Sequence, residues 1–280
     1  MSLMRVLDHH PAGGRYRLLR LHAPEAARAY RPGQFFMLRV SPIGAGDGGD
    51  RLSSDPLLGR PFSLFQRSIS EGWIEILYQV AGRGTALMAG WTPGLMVESS
   101  GPFGNGFDLN DDGDDFLLVG GGVGIPPLLT VADELVGRSP RPRCRLTLGA
   151  RTRSDLVYRE IAGVEIITAT EDGSTGAKGL VTNALDEILR GEIGSLRTKQ
   201  RIFACGPNSM LRAVHHLANA AGVMCRVSLE NRMGCARGVC LGCVVPAVAG
   251  ALKKYPRVCT EGPVFDSREL DWDSPHWPVP

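Results

Sequence analysis

The sequence carries almost no net charge: 31 Lys and Arg stand against 29 Asp and Glu, a formal balance of +2. That excludes the large basic surface on which nucleic-acid binders depend. Long apolar runs are also missing. The two weakly polar stretches, Phe116–Ala132 and Val239–Leu252, are broken by Gly120, Gly121, Gly122, Gly124, Pro126 and Pro127 in the first and by Gly242, Pro246 and Gly250 in the second. Neither is a membrane span. The opening MSLMRVLDHH has no apolar core of a secretory leader, so a cytoplasmic protein is expected. There is no Gly-x-Ser-x-Gly elbow, His-Glu-x-x-His helix or Walker lysine, and His215-His216 have no third ligand in view.

What is present is an ordinary globular composition, 43% hydrophobic and 21% charged over 280 residues. That length suits two or three domains. Up to about residue 110 short alternating runs are separated by Gly and Pro. Examples are Arg15–His22, Gln34–Val40 with Phe36, Leu38 and Val40 on one face, and Trp73–Val80 with Ile74, Ile76, Tyr78 and Val80 on one face. That period predicts strands with one buried face, and a closed antiparallel barrel buries such faces without open edges. Ser41–Gly59 reads as a long polar loop. After Asn110–Asp115 apolar strands (Phe116–Val119, Cys144–Leu148, Val164–Thr168, Arg201–Cys205, Met224–Leu229) alternate with helices (from about Pro126, Leu180–Leu189, Asn208–Ala221), which predicts a parallel α/β sheet. The region from Glu230 is rich in Cys and Gly and too small for a strong core. The fold class expected is therefore α+β multidomain: a barrel over 1–110, a parallel nucleotide-binding domain over 111–229 and a small module over 230–280.

Four of the seven cysteines lie in that last module, and in a reducing compartment they read as ligands rather than as disulfides. Cys235, Cys240 and Cys243, followed after fifteen residues by Cys259, have the C-x4-C-x2-C…C spacing of a plant-type 2Fe-2S cluster, with Gly234, Gly238 and Gly242 suiting a loop that wraps an inorganic core. A structural zinc site is the alternative, although zinc ribbons prefer paired C-x2-C knuckles. Leu117–Pro127 is a strand, a glycine turn and a helix start with proline in its first turn, a nucleotide-phosphate turn in type. It departs from G-x-G-x-x-G, and Arg151 ends the next strand where the usual fingerprint has an acid, so NADP stays open beside NAD. Cys205-Gly206-Pro207 ends another apolar strand. Ligands gather at such strand ends, which makes Cys205 a crevice residue or a buried structural one.

Arg60-Pro61-Phe62-Ser63 and Gly82-Arg83-Gly84-Thr85 supply a cation and a glycine turn into a short helix, Thr85–Ala89, a suitable pair for a flavin and its phosphates. Each alone is weak, since an exposed Arg is usually only solvated.

Pro32–Phe35, Arg60–Ser63, Gly101–Phe107, Gly120–Pro127, Cys205–Pro207 and Ser228–Cys235, with Glu261–Phe265 after Cys259, together resemble the ferredoxin-reductase superfamily. The likeness is nearer still to the electron-transfer subunits of two-subunit, NAD-linked dihydroorotate dehydrogenases, and it covers nearly the whole chain. The resemblance implies FAD at Arg60, Pro61, Phe62, Ser63, Tyr78, Gln79, Val80, Gly84 and Thr85, and a cofactor contact at Glu230. It implies NAD at Gly120, Gly121, Gly122, Gly124 and Gly206 with Cys205 as a catalytic residue, and 2Fe-2S on the four clustered cysteines. It further implies an FMN-containing catalytic subunit as partner, two of each chain in a heterotetramer, with electrons passing from dihydroorotate to NAD. Arg237 departs from the family pattern, and a cation near a cluster tends to raise its potential. The apolar segment Val244–Leu252 is the expected docking face. Another NAD(P)H reductase of ferredoxin or sulfhydrogenase type is the nearest competing function. A complete ferredoxin-like domain of an oxygenase reductase does not fit in the 50 residues after Glu230. A redox sensor without turnover is the competing class.

Overall fold

A computed structural model describes residues 1–40, 56–110, 112–191 and 199–277. Most of the expected Ser41–Gly59 loop, as far as residue 55, and part of the Asn110–Asp115 turn lie outside the described residues.

Seven antiparallel strands form the first sheet: β1 (Ser2–Gly13), β2 (Tyr16–His22), β3 (Phe35–Leu38), β4 (Arg60–Ser63), β5 (Gln66–Ser68), β6 (Trp73–Gln79) and β7 (Met96–Phe103). Two short helices interrupt them, α1 (Pro24–Ala29) and α2 (Arg83–Met88). The spatial order is β4-β3-β7-β1-β2-β6-β5. β4 lies against β6, and no hydrogen-bonded ladder joins β4 to β5 among the described residues, so the fully laddered barrel expected from the alternation is not what the strand pairing describes. The buried face is the expected one: Phe36, Leu38, Val40, Ile74, Ile76 and Tyr78 share a core with Leu19, Leu21 and Met88. The opposite face of β3 is not solvated. Phe35 and Met37 are buried in a second core that includes Ala236, Cys243 and Cys259, so the C-terminal module covers this strand from outside.

The second sheet contains β8 (Asp115–Gly121), β9 (Arg143–Ala150), β10 (Glu165–Thr170), β11 (Ala177–Lys178), β12 (Gln200–Cys205), β13 (Met224–Ser228) and β14 (Val264–Asp266), in the order β11-β10-β9-β8-β12-β13-β14. All pairs are parallel except β13 with β14. Helices α3 (Ile125–Val136), α4 (Val181–Gly191) and α5 (Asn208–Ala220) cover it. Leu117 and Val119 face α4 and α5 in one core, and Phe116 and Leu118 face α3 in another, which is why β8 reads as a continuous apolar run. The strand order reverses on either side of β8, so the crevice for a ligand opens at the carboxyl ends of β8 and β12.

β14 ties the region from Glu230, too small for a strong core of its own, to the parallel sheet. Val264–Asp266 returns to the parallel sheet, and Phe265 and Trp272 join its core. Trp272 and Trp277 stack at 4.9 Å, and Trp272 Nε1 donates to Ser267 O at 2.7 Å. The module thus borrows the core it is too small to build. The two sheets are latched where Arg67 Nη1 donates to Ala27 O (2.8 Å) and Tyr30 O (2.6 Å) while Tyr30 OH meets Thr130 Oγ1 at 3.2 Å. Among the described residues no helix is long and apolar enough to cross a membrane.

At the amino-terminal end of the parallel sheet Arg145 Nη2 donates to Asp115 Oδ2 at 2.7 Å, and Gln200 Nε2 donates to the same oxygen at 3.1 Å. Both members of the ion pair are almost wholly buried. Arg145→Ala leaves a buried carboxylate short of its cation and is expected to cost about 3–5 kcal/mol in urea unfolding. A loss below about 1 kcal/mol would show that water reaches this end of the sheet.

Candidate functional site

The glycine turn after β8 is shaped by two requirements. Gly122 has φ +56°, a left-handed conformation that favours glycine. Gly124 lies directly on the end of β12: a Cβ there would stand 2.2 Å from Cys205 O. The 3-10 turn Gly122–Gly124 runs straight into α3. Beside it lies a cavity of about 510 Å³, lined by Gly121, Gly122, Arg151, Thr182, Pro207 and Met210 from the parallel sheet and by Tyr16 and Gln79 from the antiparallel one. Its size is that of a small-molecule pocket, and Gly121 and Gly122 of the turn lie on its wall. Gly124 lets the turn pack on the end of β12, Gly120 lies against Ile125 and Leu128 of α3, and Gly206 against Met210 and the Gly121 backbone.

Cys205 is buried at the end of β12, in register with Gly120 on one side and Ser228 on the other. Burial first, then the Glu230 charge, push its thiol far above the ordinary range, against a hydrogen bond with Ser228. Glu230 is exposed, yet the protein packed around it raises its carboxyl. Tyr16 is raised by burial and then by Asp155 and Glu230. Tyr16, Ser228 and Glu230 thus share one neighbourhood with Cys205. Sequence reasoning singled out Glu230 and quoted Ser228 only as the start of a family motif; it missed Tyr16, which sits in an unremarkable strand and reaches this place through the packing of one sheet on the other.

The flavin candidates divide. Arg60–Ser63 forms β4, whose ladder with β3 is regular, so Arg60 and Phe62 share one face and Ser63 turns to the other. Arg60 does meet the predicted glycine turn: a Cβ on Gly84 would lie 3.1 Å from Arg60 Nε. The guanidinium is thereby held beside the backbone donors that open α2, a cradle fit for a phosphate. Thr85 Oγ1 accepts from the N–H groups of Ala81 (3.0 Å) and Gly82 (3.2 Å), so it shapes the turn. Pro61 is half-buried, and Phe62 packs edge-on to Tyr78 at 6.0 Å. Tyr78 does not point outward. Its side chain lies in the core with its hydroxyl 2.9 Å from His9 Nε2, and burial pushes it up to about 12, so only its backbone is free for a ligand. Gln79 lines the nucleotide cavity, and Val80 N donates to Arg15 O at 2.9 Å.

Around the cysteines the backbone turns its N–H groups inward. Ala236 (φ 54°), Gly238 (φ 75°) and Leu241 (φ 56°) all lie in the left-handed region, and the N–H groups of Arg237 and Cys240 both donate to Cys235 Sγ at 3.4 Å. These two bonds draw the Cys235 thiol down to about 6. Cys243 and Cys259 are buried neighbours, tied by Val258 N donating to Cys243 O at 2.9 Å, and Cys240 is exposed. Burial first raises Cys243 to about 11, and Cys259 and Cys240 add to it. Among the described residues no three His, Cys, Asp or Glu side chains already stand where they would hold a metal ion. Three thiols on a loop that turns two N–H groups to Cys235 Sγ, with a fourth on the Cys259 turn, fit a thiolate-bound cluster. Arg237 places its guanidinium 5.7 Å over the Phe103 ring. In the expected docking segment Val245 is buried while Val248 and Leu252 are exposed; Val239 and Leu241, flanking Cys240, are exposed as well.

The family model for the iron-sulfur cluster binding domain of dihydroorotate dehydrogenase B matches residues 230–271, and that for the oxidoreductase NAD-binding domain matches residues 118–216. The chain is 36% identical over 239 residues to the dihydroorotate dehydrogenase B (NAD(+)) electron transfer subunit of Caldanaerobacter subterraneus subsp. tengcongensis, covering 85% of this chain and 86% of that one. It is 39% identical over 244 residues to the subunit of the same name from Bacillus caldolyticus, covering 86% of each. A solved structure of an NADH-dependent reduced ferredoxin-NADP oxidoreductase superposes with a TM-score of 0.79 at 26% identity, covering 98% of this chain and 91% of that one.

Because its pKa is raised, the Cys205 thiol stays protonated and neutral across the physiological range. The NADH-driven bleaching rate is expected to show no limb belonging to this thiol between about pH 6 and pH 9. A limb in that window that disappears in Cys205→Ser would contradict the assignment.

Proposed function

From the chain's membership of the family of electron transfer subunits of dihydroorotate dehydrogenase B (NAD(+)), we propose that it carries electrons from a dihydroorotate-oxidising, FMN-containing catalytic subunit to NAD. The observation that carries this reading is the junction at β3: the cysteine module packs on Phe35 and Met37, while the nucleotide cavity opens where the two sheets meet at Tyr16 and Gln79. A one-electron centre and a hydride acceptor are thus gathered around one sheet. FAD, the bound group that suits the middle, exchanges hydride on one side and single electrons on the other.

In this reading Arg60 and the backbone at Gly84 and Thr85 hold the flavin phosphates. Pro61, Phe62, Ser63 and the backbone of Tyr78–Val80 border the ring, and Glu230 closes the cleft. Gly120, Gly121, Gly122, Gly124 and Gly206 seat the NAD pyrophosphate, with Cys205 as a neutral thiol beside the nicotinamide. Glu171 lines the cavity beside Arg151 and favours free ribose hydroxyls over a 2′-phosphate. Cys235, Cys240, Cys243 and Cys259 hold 2Fe-2S. Residues 1–110, 111–229 and 230–280 serve as flavin, nucleotide and cluster units. We place the assembly in the cytoplasm, with two copies of each chain, and its catalytic subunit against the exposed face of Val239 and Leu241.

Two experiments test this reading. In the complex co-purified with the FMN subunit, dihydroorotate is expected to reduce NAD, and Cys259→Ser to abolish that reaction together with the bound iron. Undiminished reduction by Cys259→Ser protein would overturn the path. Val239→Asp combined with Leu241→Asp is expected to weaken subunit association at least tenfold in a sedimentation titration, a loss of about 1.4 kcal/mol. Unchanged association would move the interface elsewhere.

A further inference from the structure

The Glu261–Phe265 segment has a task that neither the cavity nor the thiol set explains. Its first residue is the centre of a network. Glu261 Oε2 accepts from the backbone N–H and the Nε of Arg257, both at 2.8 Å, and from Thr260 Oγ1 at 3.1 Å. Oε1 accepts from Lys253 Nζ at 2.6 Å and from Arg257 Nη2.

The remaining nitrogen of Arg257 reaches the cluster loop. Nη1 donates to Gly238 O at 2.8 Å, and a Cβ on Gly238 would stand 2.9 Å from that nitrogen. The backbone of the same turn is tied in the other direction, to the segment leaving β7. Asn105 Nδ2 donates to Glu261 O at 3.1 Å, and Asn105 N donates to Gly262 O at 2.6 Å. The Arg257–Gly262 turn therefore joins three pieces of chain: through the Arg257 guanidinium, held by the Glu261 carboxylate, it meets the loop bearing Cys235, Cys240 and Cys243; it carries Cys259 itself; and through the backbone carbonyls of Glu261 and Gly262 it meets the border of the antiparallel sheet.

We propose that Arg257 and Glu261 are positioning residues for the iron–sulfur centre, fixing the three loop thiols relative to Cys259 and the whole set relative to the flavin sheet. The inference rests on the cluster reading above. The physical basis is the planar guanidinium fork, which satisfies both carboxylate oxygens and still has a donor for a carbonyl. Both side chains are only about a quarter exposed, 26% and 24%, so water competes weakly for these bonds. A lysine has one ammonium and cannot hold Glu261 and Gly238 O in this geometry.

The test uses the full chain, purified without air, as wild type, Glu261→Gln, Arg257→Lys and Asn105→Ala. Iron and sulfide content, the EPR spectrum of the dithionite-reduced protein and the rate of cluster reduction by NADH are measured on each. Glu261→Gln and Arg257→Lys are expected to retain iron and sulfide, to show an altered EPR line shape, and to reduce the cluster about 10- to 100-fold more slowly, the usual cost of losing a partner that orients ligands. Asn105→Ala keeps the brace to Gly238, so its line shape stays that of the wild type while its reduction slows. Wild-type spectra and rates in Glu261→Gln and Arg257→Lys would overturn the proposal. So would loss of all iron in those two combined with wild-type rates in Asn105→Ala, because the network would then serve assembly alone. Wild-type protein without iron or sulfide would instead overturn the cluster reading, and this inference with it.

Discussion

The close approach of the glycine turn to the end of β12 is the constraint on which the rest of the site depends. At Gly124 the space for even one methyl group is occupied by Cys205 O. That contact brings the start of α3 against the end of β12, the strand that carries the buried Cys205. It also explains why the turn departs from the common dinucleotide fingerprint. The glycines answer to the neighbouring strand as much as to a phosphate, and their spacing follows that packing.

A second constraint is the double use of β3. A strand with one buried face needs only a core behind it, but Phe35 and Met37 are covered as well, by the module that carries the cysteines. The cluster unit therefore sits on the sheet that bears Arg60–Ser63, and its tail returns to the parallel sheet as β14. A small, loop-rich segment acquires a defined place by sharing both cores. Burial without a continuous helix or strand costs ordering entropy, and here it is offset by the Trp272–Trp277 stack, by Phe265 and by the hydrogen bonds around Glu261.

Much of this was legible in the sequence. The strands at 116–119, 144–148, 201–205 and 224–229 and the helices between them follow from apolar runs and amphipathic periods, and the structure places β8, β9, β12, β13, α4 and α5 there within a few residues. The cysteine spacing located the thiol loop. What periodicity could not give were long-range relations. β1 and β7 have irregular patterns, β1 through the bulges between Val6 and Asp8 and between Pro11 and Gly13. β14 is three residues long and defined only by its partner. Tyr78 sits on the correct strand but turns its ring inward to His9, because alternation assigns a face without saying which face a ligand meets. Tyr16 carries no local signal at all, and Ser228 only its place at the start of the motif that leads into the cysteines.

The central claim is that one chain joins a hydride carrier to a one-electron centre. The visible spectrum of protein purified without air, recorded before and after NADH, tests it most directly. Overlapping flavin and iron–sulfur absorption that bleaches on addition of NADH is the predicted result. A colourless protein that contains zinc at the four cysteines would contradict it.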